Sequence, residues 1–423
     1  MKKVTAIVIG AGARGAKAYA GYAKLHPNEL EITGVVEPVK ERMDAIKKRF
    51  SIPEERCFSD YKDLFAREKL ADAVFICTQD NMHIEPAKLA LEKGYHILLE
   101  KPISPKADEI CELEKLAKKH DRIISVCHVL RYTPFFKTLK ELLNQERIGR
   151  LISVQHNENV AYWHHAHSFV RGHWRNTAES SPMILAKCCH DMDILLYLIG
   201  SSCKKISSFG SLTHFKKENM PKGAPKRCIQ GCPSGDSCPF NALTLYSAGG
   251  RMEDWLGIET MGFEADEESF IKGLETSPYG RCVYQCDNDV VDHQVVNMEF
   301  ENEVTVAFTM CAFTSDCSRT MKFMGTKGEI LGNMEEKSII VKDFETGNIE
   351  RIRIHSCDEG HSGGDAGIVH SFVRAVNGTV KDNSSLAEAV QSHMMAFAAE
   401  KSRLTGSVIE MKTFVSDLEK ERG

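Results

Sequence analysis

Val4-Thr5-Ala6-Ile7-Val8-Ile9-Gly10-Ala11-Gly12-Ala13-Arg14-Gly15 decides the fold. A mostly apolar, β-branched run enters three glycines spaced G-x-G-x-x-G, and a helical stretch, AKAYAGYAKLH, follows at once. The spacing alone is weak, but the strand–turn–helix context makes it specific. Gly10 permits a tight turn, Gly12 lets a pyrophosphate approach the backbone, and Gly15 lets helix and strand pack closely. The helix N-terminus offers free N–H groups and a positive dipole end to phosphates. Glu37 ends the second predicted strand, 22 residues after Gly15. A carboxylate there accepts hydrogen bonds from the adenosine ribose hydroxyls and repels a 2′-phosphate. No arginine follows at once, so NAD is expected over NADP.

Outward from this motif, strands read at 4–9, 31–36, 73–77, 96–99 and 123–127, with helices at 15–25, 39–50, 60–66, 84–93 and 108–120. Continuous apolar strands alternating with helices predict a doubly wound parallel sheet, a Rossmann domain over 1–130. From about 150 the pattern changes. Strands at 151–157, 204–213, 291–300, 303–311, 319–324 and 338–343 come with few helices, and Glu301-Asn302 turns two alternating strands. Residues 365–403 regain helical periodicity. The second domain, 131–423, reads as α+β with an open, mostly antiparallel sheet, interrupted by an irregular Cys-rich insertion at about 214–255.

Composition sets bounds. The 423 residues are 42% hydrophobic and 27% charged, with net charge −5. That is an ordinary globular balance, and nothing favours nucleic acid or an acidic membrane surface. The first apolar run is short and lacks a cleavage-site pattern, and no stretch reaches a membrane span's length. A cytoplasmic protein is expected. Fifteen cysteines without a secretion signal do not read as a disulfide framework. Several, such as Cys77 and Cys127, sit in apolar runs as core thiols.

Three later motifs carry a resemblance. Cys77-Thr78-Gln79-Asp80-Asn81-Met82-His83 ends the third predicted strand, Glu100-Lys101-Pro102 follows the fourth, and His190-Asp191-Met192-Asp193 stands further on. In this order, with Gly325-Thr326-Lys327-Gly328-Glu329-Ile330 near the end, the chain resembles the glucose–fructose oxidoreductase and inositol dehydrogenase (Gfo/Idh/MocA) family over essentially its whole length. The resemblance implies a Rossmann domain followed by an open-sheet domain, a homodimer or homotetramer, and a nicotinamide seated between the domains. It implies hydride transfer between NAD(P) and a secondary alcohol of a sugar or cyclitol. Lys101 and His190 would be the catalytic pair. The ammonium orients the alcohol and steadies developing alkoxide charge, and imidazole accepts the hydroxyl proton. Ala13, Arg14, Thr78, Asn81, His83, Glu100, Lys101 and Arg131 would border the cofactor with Gly10, Gly12, Gly15 and Glu37. Lys187 and Asp193, each three residues from His190, share roughly its helical face and are candidate substrate contacts. Two departures stand out. Many members carry Asp four residues before the histidine, where this chain has Ala186 beside Lys187, and Gln79 replaces a usual proline.

Two further segments carry chemistry. Tyr162-Trp163-His164-His165-Ala166-His167-Ser168-Phe169-Val170-Arg171-Gly172-His173-Trp174-Arg175 is rich in aromatic and basic groups. Tyr162, Trp163 and Trp174 are candidates to stack on a sugar, and His167, Arg171 and Arg175 to bind its hydroxyls or a carboxylate; the alternative is packing at a subunit or domain interface. Cys228, Cys232 and Cys238 form C-x3-C-x5-C in the irregular stretch. This spacing suggests a structural zinc or iron–sulfur site with Cys282, Cys286 or His214 as fourth ligand; free thiols or a local disulfide are the alternatives. In Gly360-His361-Ser362-Gly363-Gly364-Asp365, Asp365 reads as a helix N-cap and His361 as a possible substrate contact.

The leading expectation is an NAD-dependent sugar or polyol dehydrogenase. The second is a glycoside-cleaving enzyme that oxidises transiently, eliminates, and returns the hydride without net redox change. A non-catalytic NAD sensor fits poorly with the presence of both Lys101 and His190.

Overall fold

The computed structural model describes residues 2–247, 249–250, 266–355, 361–382 and 384–420. Six parallel strands form the first sheet: β1 (Val4–Ile9), β2 (Leu30–Val36), β3 (Cys57–Phe58), β4 (Ala73–Ile76), β5 (His96–Leu99) and β6 (Ile124–Val126). Their order is β3-β2-β1-β4-β5-β6. It reverses between β1 and β4, where open α/β sheets bind ligands beyond the strands' carboxyl ends. All four residues of β4 are buried, as helices on both faces require.

The second sheet has nine strands: β7 (Leu151–Asn159), β8 (Cys203–Ser211), β9 (His293–Phe300), β10 (Thr305–Cys311), β11 (Ser318–Gly325), β12 (Gly328–Asn333), β13 (Ser338–Asp343), β14 (Ile349–Arg353) and β15 (Ile409–Glu410). The order is β14-β13-β12-β11-β7-β10-β9-β8-β15, antiparallel except for the β7–β10 pair. Glu301-Asn302 does turn β9 into β10, with Glu303 at φ +68°. Four strands, β3, β12, β14 and β15, go beyond those expected. β3 and β15 are too short to show a period. β12 is broken by Gly328 and Gly332, where an added Cβ would approach Lys342 O to 2.4 Å and Phe135 to 2.9 Å.

Val296, Met298, Phe300, Val306 and Phe308 of the second sheet pack in one core with Leu195 and Leu198 of the helix Cys189–Ile199 and Met394, Met395 and Ala398 of the helix Leu386–Thr405. Its other face exposes Ile152, Phe209 and Val295. The helix Gly364–Val376 returns to the first sheet, where Ile368, Val369, Phe372 and Val373 join Val8 and Phe75 in one core. Asp365 is not that helix's cap. Gly363, in the left-handed region at φ +85°, takes the cap position, and Asp365 lies in the first turn.

The expected first helix is split into a π-helix Ala13–Tyr19 and a short α-helix Gly21–Leu25. Among its described residues the insertion holds the short helices Lys217–Asn219, Gly235–Ser237 and Ala242–Tyr246; its positions 248 and 251–255 lie outside the described residues. Among the described residues no helix is long and apolar enough to cross a membrane.

Candidate active site

The glycine loop forms a cradle at the end of β1. Gly10 has φ +92°, and a Cβ there would sit 2.7 Å from the carbonyl oxygen of Cys77. A Cβ on Gly15 would meet Gly10 O at 2.1 Å, so both positions demand glycine. Gly12 differs, because its absent Cβ would point into open space. That is the room a pyrophosphate needs, and the cradle fits NAD. Glu37 is buried at the end of β2. One carboxylate oxygen accepts from Ala11 N at 2.7 Å and the other from Val39 N at 3.0 Å. Glu37 therefore shapes the loop it was expected to border, and each oxygen keeps a lone pair for a ribose hydroxyl.

Arg14 turns away from the phosphate side. Its guanidinium donates to Glu100 at 2.7 Å, to Asp365 at 2.8 and 2.9 Å, and to Tyr19. Burial raises the Asp365 pKa, but hydrogen bonds from His361 and Arg14 outweigh it and hold the carboxyl well below its ordinary range. Glu100 also accepts from Lys101 N at 2.8 Å. Arg14 thus ties the glycine loop to the strand end carrying Lys101 and to the helix Gly364–Val376. His83 is likewise engaged, with one ring nitrogen on Pro102 O at 2.7 Å and the other on Thr78 O at 3.1 Å. The Thr78 hydroxyl donates to Met82 O at 3.0 Å. Asn81 lies between them in the short helix Asp80–Met82.

Lys101 follows the end of β5 and lies near enough to His190, in the helix Cys189–Ile199, for its charge to act on the imidazole. Lys101 Nζ donates to Ala186 O at 3.2 Å. The backbone carbonyl of Ala186 thereby holds the ammonium at the position where a carboxylate was expected. His190 is 8% exposed, and its Nδ1 is buried without a partner. Burial, then the Lys101 charge, then His128 push its pKa well below the ordinary histidine value. His190 is therefore neutral at physiological pH and able to accept a proton. His128, which sequence reasoning passed over, lies edge-on to His190 at 5.8 Å and to His393 at 5.5 Å. Its position just past β6, at a strand's carboxyl end, was the available signal.

A buried charge cluster supports the histidine's helix. Arg319 Nε donates to Asp191 at 2.8 Å, and its Nη2 lies 2.7 Å from Glu158. Lys187 Nζ lies 3.2 Å from Glu158, and His156 Nε2 lies 2.7 Å from Asp191. Burial raises the Glu158 pKa. Burial also raises that of Asp191, but Arg319 and His156 outweigh it and leave the carboxyl well below its usual range. Burial lowers the Lys187 pKa, and Glu158 more than restores it. Glu158 was readable, since alternation along β7 puts it on the buried face with Val154 and His156.

Other expected contacts lie elsewhere. Arg131 forms a two-pronged pair with Asp193, both bonds at 2.7 Å, and reaches Glu388. Neither Arg131 nor Asp193 is free for a ligand. The aromatic segment divides. Trp174 keeps its indole N–H on Asp80 at 3.2 Å, beside the short helix Asp80–Met82. Trp163 is buried with Leu245 and Tyr246 under the insertion, and His167 stacks on Tyr279 at 4.5 Å. Arg171 is wholly buried, and its Nη2 bonds Phe240 O at 2.6 Å. For these three the expectation of substrate contact is corrected: they pack the insertion onto the sheet. Arg175 is paired with Asp287 at 2.8 Å. His361 lies beside the site, 6.3 Å from the His190 ring. Among the described residues no group of three or more His, Cys, Asp or Glu side chains is placed to hold a metal ion. The expectation that Cys228, Cys232 and Cys238 converge on a zinc or iron centre is corrected accordingly; they stand around a cavity, and His214 is engaged by Tyr284 at 3.0 Å.

Comparison with known proteins agrees with this geometry. Residues 4–128 match the oxidoreductase family's NAD-binding Rossmann fold, and residues 140–411 match that family's C-terminal alpha/beta domain. A putative oxidoreductase, YteT of Bacillus subtilis, is 23% identical over 79% of this chain and 80% of its own. A 2,7-anhydro-N-acetylneuraminate hydratase of Mediterraneibacter gnavus is 25% identical over 50% of this chain and 53% of its own. A levoglucosan dehydrogenase solved with NADH and levoglucosan superposes with a TM-score of 0.72 at 17% identity, covering 97% of this chain and 99% of that one.

Proposed function

The chain belongs to the glucose–fructose oxidoreductase and inositol dehydrogenase family of NAD-binding oxidoreductases, and from that premise we propose that it oxidises a secondary alcohol of a sugar or polyol. The observation that carries this reading is that Lys101, held on Ala186 O four residues before His190, acts on that imidazole and is tied through Glu100 and Arg14 to the glycine loop. Gly10, Gly12, Gly15 and Glu37 would hold NAD, and NAD when bound takes up the hydride. Lys101, steadied by Ala186 O, orients the substrate hydroxyl and stabilises charge on its oxygen. His190 accepts the hydroxyl proton. In reduction the same groups act in reverse, with His190 donating. The carboxylate of Glu37 favours NAD over NADP.

The test is NADH formation across a panel of sugars and cyclitols. Lys101→Ala and His190→Ala should each lower kcat by about 10²–10⁴-fold while NADH binding is kept. Retained turnover in either variant sinks the assignment.

A second reading, left open by the likeness to a hydratase, is the glycoside-cleaving one, in which oxidation is transient and the cofactor stays bound. Denaturing the purified protein and identifying what it releases separates the two. Retained NAD(H) with no net NADH formation supports the recycling mechanism, and an empty site supports a dehydrogenase with exchangeable cofactor. The open face of the second sheet, with Ile152, Phe209 and Val295 exposed, is the surface through which a homo-oligomer would form.

A further inference from the structure

The approach to the helix Gly364–Val376 is built to hold one imidazole in place. His361, Ser362 and Gly363 lie in the left-handed region in succession, at φ +46°, +55° and +85°. Residues with a Cβ visit that region singly and seldom in a run, and such conformations persist where the surroundings impose them, often at functional sites. Here the surroundings are tight. A Cβ on Gly364 would come within 2.5 Å of Val129 O, and one on Gly367 within 2.7 Å of Tyr132 Cβ. The two glycines let the helix start lie directly on the short helix Val129–Tyr132, which follows β6. Arg14 clamps the same turn from the glycine loop, with Nη1 and Nη2 on the two oxygens of Asp365.

His361 Nδ1 lies 3.0 Å from Asp365 Oδ1 and 3.3 Å from Arg14 Nη1. The shorter contact, with the charged acceptor, sets the ring proton on Nδ1 and leaves the lone pair on Nε2. The ring is also a neighbour of His190: the centroids are 6.3 Å apart and the planes meet at 48°. A direct bond between the rings is out of reach at that separation, and one water spans it. The two imidazoles differ in access, for His190 is buried and the His361 side chain is 43% exposed.

The reaction proposed above creates a need for such a neighbour. The hydride of the alcohol goes to NAD and its hydroxyl proton to His190, so every turnover leaves a proton on a buried imidazole. His128, also against His190, is 1% exposed, and burial, then Arg131, then Lys101 hold its pKa well below the ordinary histidine value. It offers the proton no way out. We propose, resting on that reading of His190, that His361 steadied by Asp365 is the proton relay between His190 and solvent. Nε2 takes the proton from His190 across the bridging water, and the imidazolium is stabilised beside the Asp365 carboxylate. Nε2 then gives the proton to bulk water and His190 is neutral again. The sum is alcohol and NAD consumed, with ketone, NADH and one proton released. In reduction the path runs inward. The charged and titratable groups that face the relay are Asp365, Arg14 and His190.

The test uses the full chain with a substrate from the NADH panel. In His361→Asn, asparagine suits the left-handed backbone but carries no proton. Its first turnover should keep the parent's rate, while kcat in dilute buffer should fall by about 10²-fold, the lower end of what a positioned proton-transfer group supplies. In His361→Gly, which also fits the backbone, added imidazole should restore kcat as its concentration rises, a response that a folding defect does not give. An unchanged kcat in His361→Asn at every buffer concentration overturns the relay and leaves the dehydrogenase reading standing. A raised KM with unchanged kcat makes His361 a substrate contact and overturns it as well. No NADH from the unaltered chain on any substrate fails the dehydrogenase reading itself, and the relay with it. Nitrogen-15 spectra of the unaltered chain check the geometry without a substrate: a proton on His361 Nδ1 supports the relay, and one fixed on Nε2 overturns it.

Discussion

Acid should unfold this protein through its buried histidines. Burial holds the His165 pKa down to about 4 and those of His167 and His393 down to about 3. Burial also lowers His128, His164 and His190. In the unfolded chain each imidazole takes up its proton near ~6.5. Between these values the unfolded state binds more protons than the folded one, so stability is fully present above pH 6.5 and falls as the pH drops. From pH 7 to pH 5 the loss is about 2 kcal/mol for each of His165, His167 and His393, and about 5–6 kcal/mol for the three together. That is comparable to the whole stability of many domains, about 5–15 kcal/mol. Buried Glu158 and Asp193, whose pKa values burial raises, act in the opposite sense. The assay is urea unfolding followed by tryptophan fluorescence at several pH values between 7.5 and 5. His165→Phe isolates one member. That ring lies between Phe169 at 5.5 Å and Phe215 at 5.4 Å, with both nitrogens buried and unpartnered. Phenylalanine fits such a site, so the variant should match or exceed the parent's stability at pH 7 and lose less of it at pH 5. A midpoint constant from pH 7 to 5, or an unchanged slope in His165→Phe, refutes the reasoning.

Three further outcomes are expected. Arg319→Met leaves Glu158 and Asp191 buried with Lys187 as their remaining full cation, which should cost about 3–5 kcal/mol of stability; calorimetry showing a change under ~1 kcal/mol would count against the charge cluster as described. Glu37→Gln keeps the shape at the end of β2 but removes the charge. It should weaken NADH binding by about tenfold, in line with ~1.5 kcal/mol for a charge-assisted bond, and narrow the preference over NADPH, both read from cofactor fluorescence titrations. Phe209 and Val295 sit opposite each other on the open sheet face, so Phe209→Asp with Val295→Lys should shift the protein to a monomer in sedimentation without changing the turnover of each chain.

What could be read from the residues followed local rules, and what could not followed pairing across the fold. Val4–Ile9 and the glycines declare a strand, a turn and a phosphate-sized gap within twelve positions, because each requirement is steric and local. Alternation along β7 marks Glu158 as inward-facing for the same reason. Its partner Arg319 appears only once β11 lies against β7 and the two residues stand directly opposite. The same limit explains Arg14 and Asp365. One sits in the cofactor motif and the other looks like a helix cap, yet in the fold they form a salt bridge at 2.8 Å across nearly the whole chain. Arg171 is the sharpest case. An arginine in an aromatic segment suggests a ligand contact, since a surface guanidinium is free to bind. Its burial removes that freedom, and Nε and Nη2 donate instead to the carbonyls of Arg281 and Phe240. A charged residue's role therefore rests on which partners the fold brings to it, and for Arg171 those include the backbone carbonyls of Arg281 and Phe240.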